Sequence, residues 1–390
     1  MAEPKPLADV TKTLEVAFLG GSTTSAVGRT HRTAVEIDQR FRLVAGCFSS
    51  NSASNDLASE AYGVPHDRIY GSLESLLQAE ATQLDALIIL TPTDQHARQV
   101  AYALQAGVPV VCEKALATSS QEVSEVKKIR DANNGFLAVT YNYLGYPMVR
   151  ELRHMIQNGL LGNIRQLHLE MPQEGFERVG KDESPMVPQE WRLHDSFVPM
   201  ISLDLGTHLH MMSYFLTGNR PLSAIAVSRS YGNFPQIVDT VSCIAKHENE
   251  MISNIWYSKA ALGERNGLQV RVFGDKGSAK WVQEFPEQVY FADNRGNRSI
   301  IDRASPGLMV ANQSRYTRFK AGHPAGFIEA FANYYYDVAD SLVRYKRGDI
   351  DPLRGQCFGL EQAHEGLRFL ESIAASTRSG SWEDVEYAEC

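Results

Sequence analysis

The chain has 390 residues, of which 43% are hydrophobic and 22% are charged, and its formal net charge at pH 7 is −8. That length exceeds one typical hydrophobic core and favours two domains of ordinary globular composition. The negative charge, without any Lys/Arg stripe, argues against a nucleic-acid partner. No apolar run reaches membrane-spanning length, which argues against a membrane partner.

The amino-terminal residues and the cysteines indicate the compartment. Residues 1–12 are polar, carry both charge signs and lack the apolar centre of a signal peptide, which predicts a flexible tail. The 5 cysteines are widely spaced and lie mostly in apolar surroundings, which favours reduced thiols over disulfides or a zinc site. The sequence therefore predicts a cytoplasmic protein that binds no metal ion.

Residues 13–142 are predicted to form a Rossmann dinucleotide-binding domain. Strand patterns alternate with helical patterns here, with strands at 14–19, 41–48, 69–70, 84–90, 108–114 and 136–140. Such alternation gives parallel βαβ units with right-handed crossovers. The apolar runs lack a clean two-residue period, as expected for strands covered by helices on both faces.

Residues 143–390 are predicted to form a second α/β domain. Helical patterns lie at 147–158, 200–216, 323–347 and 359–378, and strands lie at 165–171, 223–229, 240–246, 251–257, 268–273 and 278–282. The later strands follow one another without intervening helices. Their alternating side chains and short polar connections predict a large, mostly antiparallel open sheet.

A glycine turn connects the first strand to the first helix. Glycines let backbone N–H groups and a helix amino terminus approach a pyrophosphate. The predicted cofactor-binding residues in this turn are Gly20, Gly21, Ser22, Thr23 and Gly28.

The end of the second strand bears on the choice of dinucleotide. A carboxylate there would bind the ribose 2′-hydroxyl of NAD, and this chain has Ser49 and Ser50 instead. The serines tolerate a 2′-phosphate, and Arg29 could reach it, but no Arg or Lys follows them closely. The sequence therefore predicts NAD or NADP without choosing between them.

Three other segments are predicted to face the cofactor. Thr91 and Pro92 follow the third long strand, and His96 is interpreted as a structural or ribose-side residue. Glu113 could hold the nicotinamide ribose. Asn142 completes the set of cofactor-binding candidates.

Lys114 follows directly after an apolar strand. The carboxyl end of a buried parallel strand is where open α/β sheets bind ligands. A lysine ammonium can hold a substrate hydroxyl and polarise a carbonyl oxygen. The alternative is an exposed ion pair at a strand end.

Asp204-Leu-Gly-Thr-His208 lies in a helical pattern. The i, i+4 spacing places Asp204 and His208 on one face of the helix. Gly206 has no side chain and is expected to let a ligand approach the backbone closely. Histidine titrates near neutrality and can take an alcohol proton, while Asp204 can orient a hydroxyl or tune Lys114. A helix-surface pair is the alternative. A metal site at His208 and His210 lacks further ligands at suitable spacing.

Together these motifs resemble the Gfo/Idh/MocA family of sugar and cyclitol oxidoreductases. The motifs that carry the resemblance are the glycine turn at Gly20, Thr91-Pro92 with His96, Glu113-Lys114, Trp191-Arg192 and Asp204-x-Gly-x-His208. The resemblance covers nearly the whole chain, and the stretched glycine loop is similar to a divergent branch. It implies that Lys114, Asp204 and His208 form the catalytic group, with His208 as general acid/base. It also implies a homodimer or homotetramer through the free face of the carboxyl-terminal sheet.

The chain departs from the family pattern at several positions. Ala115 stands where the family has the proline of Glu-Lys-Pro, and Met211 stands where many members have a second Asp. Tyr143 and Leu144 replace arginines that often follow the last Rossmann strand. The resemblance therefore does not identify the substrate.

The sequence as a whole predicts an NAD(P)-dependent oxidoreductase acting on a small polyhydroxylated ring, namely a sugar, a sugar derivative or a cyclitol. Predicted substrate residues are Tyr143, Trp191, Arg192, Asp204 and His208, since aromatic faces suit the apolar face of a sugar ring. For the aromatic residues, core packing is the alternative. Two other functions occur on this fold: a glycosidase that oxidises its substrate transiently with bound NAD, and a non-catalytic sugar or dinucleotide sensor.

Overall fold

A computed structural model describes residues 13–387, so the predicted tail at 1–12 lies outside the described residues. The chain divides into two compact units. Unit 1 takes in the chain up to Ala117, Glu122–Asn142 and Phe331–Leu360, and unit 2 takes in Thr118–Gln121, Tyr143–Ala330 and the residues from Glu361 onward. Unit 1 thus includes residues 331–360, a segment that the sequence prediction placed in the second domain.

Unit 1 is built on a parallel sheet. Its strands are β1 (Leu14–Gly20), β2 (Phe41–Cys47), β3 (Ala86–Leu90), β4 (Val110–Glu113) and β5 (Leu137–Thr140), and they pair in the order β2-β1-β3-β4-β5. The helices along this part of the chain are α1 (Gly28–Glu36), α2 (Ser52–Tyr62), α3 (Leu73–Glu80), α4 (Thr93–Gln105) and α5 (Ser120–Ala132). Every residue of β3, β4 and β5 is buried, which explains the continuous apolar runs of these central strands. The predicted Rossmann architecture is confirmed.

The short strand predicted at 69–70 is wrong. Ile69 forms one parallel bridge with Gly46, and the Tyr70 amide donates to the Gly46 carbonyl at 2.9 Å. A single bridge does not extend into a ladder, because the three-residue helical turn His66–Arg68 precedes it and α3 begins at Leu73.

Unit 2 is built on a larger sheet. The strands are β6 (Ile164–Pro172), β7 (Pro221–Arg229), β8 (Thr240–His247), β9 (Ile252–Ser258), β10 (Gln269–Gly274), β11 (Gly277–Val282), β12 (Gln288–Asp293), β13 (Arg298–Asp302) and β14 (Glu383–Asp384). They pair in the order β13-β12-β11-β10-β6-β9-β8-β7-β14, and neighbours are antiparallel except for β6 with β9. The predicted mostly antiparallel sheet is confirmed, and β12, β13 and β14 are strands that the sequence prediction missed.

The remaining helices are α6 (Pro147–Gln157), α7 (Thr207–Thr217), α8 (Phe327–Lys346) and α9 (Leu360–Ser379). Helix α7 packs on β6 and on α6, so one face of the large sheet is covered. Along β8 the side chains alternate, with Val241, Cys243 and Ala245 buried and the residues between them exposed. The second face of the sheet is therefore open in this chain.

Two further properties concern the described residues only. Within residues 13–387, no helix is long and apolar enough to cross a membrane. The cysteines in this range, namely Cys47, Cys112, Cys243 and Cys357, are buried and are not joined to one another by disulfide bonds.

Candidate active site

The turn after β1 is shaped by glycines. Gly20 and Gly21 have φ angles of +79° and +74°, in the region that glycine tolerates best. A Cβ on Gly20 would lie 2.9 Å from backbone atoms of Leu90 and Thr91, and a Cβ on Gly28 would collide with the Gly21 carbonyl. Helix α1 begins at Gly28, and no side chain caps its amino terminus. The first backbone N–H groups of the helix therefore have no capping side chain as an acceptor, as is typical of an anion-binding helix terminus. The turn is therefore a backbone cradle of the kind that holds phosphates.

The other predicted residues near the cradle are placed as follows. Ser22 Oγ lies 3.1 Å from Thr24 Oγ1, and Thr23 is half-buried. At the end of β2, Ser49 Oγ accepts from the Asn51 amide at 3.2 Å, while Ser50 is exposed. Neither serine supplies a charge, so this end of unit 1 leaves the 2′-position of a ribose without a carboxylate partner.

His96 joins two of the predicted cofactor loops. Its Nε2 lies 2.7 Å from the Thr91 carbonyl and its Nδ1 lies 2.7 Å from the Ala115 carbonyl. Burial lowers the pKa of His96, although the two carbonyls oppose that shift. His96 thus holds the Thr91-Pro92 turn against the residue that follows Lys114, which matches a structural role.

The Glu113 carboxylate contacts buried polar side chains of unit 1. Its Oε1 accepts a hydrogen bond from Thr140 Oγ1 and lies 3.1 Å from His31 Nε2, and His31 Nδ1 lies 2.7 Å from the Tyr335 hydroxyl. Burial alone would raise the pKa of Glu113, but His31, Lys114 and Thr140 together lower it. Glu113 is therefore an anion held among buried partners, and its predicted contact with a ribose stays a prediction.

Lys114 follows β4 and is half-buried, and its peptide bond to Ala115 is cis. Burial, followed by the charge of Glu113, raises the pKa of the Cys112 thiol well above its ordinary value. Cys112, which faces the same side of the strand as Lys114, is thus an inert core thiol.

Asn142 has a buried donor to spare. The residue is 4% exposed, and within residues 13–387 its Nδ2 has no hydrogen-bond partner. Buried polar atoms in native proteins are nearly always bonded, to protein, water or ligand. The orphaned amide and the glycine cradle fit a bound dinucleotide.

In unit 2, Asp204 lies in a π-helical turn. Ser202–Gly206 is π-helical, and α7 continues from Thr207 with His208 in its first turn. Single π turns inside helices are frequently found at functional sites. The regular α-helical spacing predicted for Asp204 and His208 is therefore interrupted between the two residues.

Two cations bind the same carboxylate oxygen of Asp204. Arg192 Nη1 donates to Oδ2, and Lys259 Nζ lies 2.5 Å from that oxygen. Arg192 also stacks on its neighbour, with its guanidinium 4.3 Å from the centre of the Trp191 ring. Trp191 in turn donates from Nε1 to Gln189 at 3.1 Å. The structure thus brings Trp191, Arg192 and Asp204 together, and their role in a substrate site stays a prediction.

His208 packs edge-on against Tyr143. The two ring centroids are 4.6 Å apart and the planes meet at 85°. The Tyr143 hydroxyl accepts from Asn266 Nδ2 at 3.1 Å, and Asn266 Oδ1 accepts from Gln173 Nε2 at 2.9 Å. The imidazole is therefore held by an aromatic ring that is itself fixed by an amide network.

The expectation for Gly206 is wrong. A Cβ at this position would lie 2.9 Å from Leu370 Cδ2 and 3.3 Å from Tyr257 Cζ. The missing side chain makes room for the core of unit 2 instead of for a ligand.

Sequence reasoning missed Lys259, Asn266, His31 and Thr140. Lys259 follows a predicted strand, but that strand was assigned to a mostly antiparallel sheet, in which a strand end does not mark a ligand site as it does in a parallel sheet. The other three are polar residues whose partners come from distant segments, so no local pattern marks them. Across residues 13–387, no group of three or more His, Cys, Asp or Glu side chains could hold a metal ion.

Comparison with known proteins agrees with this architecture. Residues 14–141 match the oxidoreductase family with an NAD-binding Rossmann fold, and residues 149–280 match the GFO/IDH/MocA C-terminal domain. The uncharacterized oxidoreductase YfiI of Bacillus subtilis (strain 168) is 28% identical over 95% of this chain and 96% of its own length. The inositol 2-dehydrogenase of Rhizobium meliloti (strain 1021) is 26% identical over 78% of this chain and 85% of its own length.

A solved structure extends the comparison to three dimensions. The inositol dehydrogenase homolog of Azotobacter vinelandii, crystallised with NADH and myo-inositol, is similar with a TM-score of 0.87 and 29% identity. The match covers 96% of this chain and 98% of that one. The Rossmann unit and the glycine cradle define the class, an NAD-binding oxidoreductase. Within that class, the chain belongs to the Gfo/Idh/MocA family.

Proposed function

We propose that this protein is an NAD(P)-dependent dehydrogenase that transfers hydride between nicotinamide and a ring carbon of a sugar, a sugar derivative or a cyclitol. The observation that carries the proposal is the arrangement in unit 2, where a buried imidazole and a doubly paired carboxylate lie four residues apart. The names of the similar proteins support the substrate class, since one is an inositol 2-dehydrogenase and another was crystallised with myo-inositol.

The proposed cofactor site is in unit 1. The cradle formed by Gly20, Gly21 and Gly28 would hold the pyrophosphate, and Asn142 would donate its orphaned N–H to the bound group. The bound nicotinamide supplies a hydride acceptor, which no protein side chain provides. His96 keeps the neighbouring loops in place.

The proposed chemistry divides among three side chains. His208 takes the proton of the reacting hydroxyl as the carbon loses hydride, because imidazole accepts protons near neutral pH. The Lys114 ammonium donates to the substrate oxygen and stabilises the negative charge that develops there. Asp204 accepts from a substrate hydroxyl and orients it. Tyr143, Trp191 and Arg192 line the ring.

A substrate panel tests the proposal. Sugars, inositols and sugar nucleotides are incubated with the protein and either NAD or NADP, and the absorbance of the reduced nicotinamide is followed. We expect turnover with at least one cyclic polyol, and the preferred dinucleotide follows from the same data. Release of sugar from a glycoside without net reduction would instead identify a glycosidase, and ligand binding without turnover would identify a sensor.

We also infer that the protein forms a homodimer or homotetramer through the open face of the large sheet. Directly paired residues of neighbouring strands share a face. Ile252 and Phe273 both pair with Gln166, and Tyr290 pairs with Ile300, so these apolar side chains lie on one surface. A concavity of about 750 Å³ on this surface has Arg271, Phe273, Lys280, Tyr290 and Ile300 in its lining. Apolar side chains grouped on one surface favour a symmetric partner.

We propose that the protein works in the cytoplasm, since the four cysteines within residues 13–387 are buried thiols that form no disulfide with one another.

A further inference from the structure

Lys259 is a buried cation outside the motifs of the proposed site. It follows β9 directly and is 8% exposed, and its ammonium lies 2.5 Å from Asp204 Oδ2. Lysine is rarely buried to this extent unless its charge is paired, because desolvating an ammonium is costly. The ion pair with Asp204 therefore accounts for the burial of the Lys259 ammonium.

The backbone of Lys259 is fixed on both sides. Its N–H donates to the Asp239 carbonyl at 2.8 Å, and its own carbonyl accepts from the Phe176 amide at 2.8 Å. The ammonium also lies 5.3 Å from the centre of the Phe176 ring, within the range of a cation–π contact. Because these contacts already restrict Lys259, its ion pair with Asp204 costs little further conformational entropy.

The two cations that bind Asp204 come from segments that contact the same apolar cluster. Phe176, Phe234 and Ile237 form a small buried cluster, and Leu193 packs against it next to Arg192. Lys259 contacts the cluster through Phe176. Loops from separate parts of unit 2 thus converge to present two positive charges to one carboxylate oxygen.

We infer that Lys259 is a positioning residue for Asp204, holding its carboxylate ionised and in one orientation during turnover. The inference rests on the proposed dehydrogenase function. An oxygen that accepts from two cations is a poor proton carrier, since a nearby positive charge favours the ionised carboxylate. Asp204 therefore orients the substrate as an anion, and the proton of the reacting hydroxyl goes to His208.

The test compares three variants at Lys259 with a control at Lys246. Lys259→Met removes the charge and keeps the length, Lys259→Gln keeps a donor without charge, and Lys259→Arg keeps the charge. Lys246→Met removes an exposed ammonium that lies 4.4 Å over the Trp382 ring, a similar aromatic contact on another strand. For each protein, kcat, KM, NADH affinity, thermal unfolding and the pH profile of kcat/KM are measured with a polyol that wild type oxidises.

We expect Lys259→Met and Lys259→Gln to lower kcat by about 10-fold to 100-fold, the factor that corresponds to one charge-assisted hydrogen bond. NADH affinity should stay within about twofold of wild type, because the change does not touch the cradle. The acidic limb of the pH profile should move up by roughly half a unit to one unit, since removing a cation raises the pKa of nearby acids. Lys259→Arg should restore most of kcat, and Lys246→Met should match wild type.

Two results would overturn the inference while leaving the dehydrogenase function intact. One is wild-type kcat and pH profile in folded Lys259→Met or Lys259→Gln protein. The other is a Lys259→Arg variant as slow as Lys259→Met, which would show that shape and not charge matters. If Lys259→Met does not fold, the inference is tested by comparing kcat and the pH profile of Lys259→Gln with those of Lys259→Arg. A wild-type protein that oxidises no polyol with either dinucleotide overturns the proposed function, and this inference with it.

Discussion

Asn142 is the residue of unit 1 whose surroundings are best explained by a bound ligand. It lies at the end of β5, is nearly fully buried, and keeps an N–H donor that no described residue accepts. An unsatisfied buried donor costs stability, so proteins retain one where another molecule completes the hydrogen bond. We propose that a bound dinucleotide accepts this hydrogen bond.

Replacing Asn142 by alanine should therefore weaken cofactor binding without changing the fold. The loss of one hydrogen bond predicts an affinity for NADH about 2-fold to 10-fold lower. Quenching of protein fluorescence by NADH measures the affinity. Asn133→Ala is a matched control, because the Asn133 amide donates to the Ile129 carbonyl on the exposed end of α5. Equal affinities for wild type and Asn142→Ala would remove Asn142 from the cofactor site.

For Glu113, the sequence predicts the side of the strand that the side chain faces but not the residues that it contacts. Side chains alternate along a strand, so Glu113 and Lys114 face opposite sides of β4, and this much follows from the sequence alone. The partners of Glu113, namely His31 from α1 and Thr140 from β5, come from elements far apart in the chain. Their meeting depends on packing, which the sequence does not reveal locally.

At the scale of elements, the strands and helices of unit 1 followed from apolar runs and their length. The π turn at Asp204 did not, because one inserted residue in a helix has no distinct hydrophobic period. In strand β12, Val289 is buried and Tyr290 is exposed, but its other residues are half-buried, so the strand lacks a sustained alternation. Strand β13 is mostly exposed and therefore lacks the pattern that predicts a strand.

A buried histidine at the end of β8 makes the stability of the protein depend on pH. His247 is buried, its Nε2 lies 2.7 Å from Ser253 Oγ, and burial, with the nearby His210, lowers its pKa to about 4. The unfolded chain takes up this proton near pH 6.5. Between these two pH values only the unfolded state is protonated, so the free energy of unfolding falls as the pH falls, by roughly 3 kcal/mol in total.

Replacing His247 by glutamine should remove this contribution, because glutamine can still donate to Ser253 and does not titrate. Denaturant unfolding of both proteins near neutral pH and at about pH 4.5 measures the difference. We expect wild type to lose roughly 2 to 3 kcal/mol more than His247→Gln across that interval. Parallel losses in the two proteins would show that His247 is protonated in the folded state.

At the scale of the whole molecule, the open face of the large sheet is the feature that a single chain leaves unexplained. Exposed apolar side chains lie on β7, β8, β9, β10, β12 and β13, namely Val227, Ile244, Ile252, Phe273, Tyr290 and Ile300. Exposed apolar side chains grouped on one face of a sheet are a feature of interaction surfaces. The alternation along β7, β8, β9 and β10 predicted the antiparallel sheet, and the family resemblance implied that its free face associates, whereas β12 and β13 were not predicted.

The double substitution Ile244→Glu and Phe273→Glu should convert the oligomer to monomer. Both side chains are exposed in the single chain, so the glutamates disfavour association without entering the core. Analytical ultracentrifugation measures the mass, and far-ultraviolet circular dichroism checks the fold. Leu57→Glu, on the exposed side of α2, is the control and should leave the mass unchanged. A wild-type protein that sediments as a monomer at micromolar concentration would contradict the oligomer proposal.

We propose that hydride moves from a ring carbon of a polyol to nicotinamide with the help of Lys114. The most direct test of this proposal uses a polyol that supports turnover, deuterated at its ring carbons, and mass spectrometry of the reduced nicotinamide. We expect one deuterium in each reduced nicotinamide formed by wild type, and almost no reduced product from Lys114→Ala despite measurable cofactor binding. Reduced nicotinamide without deuterium, or normal turnover by Lys114→Ala, would contradict the account.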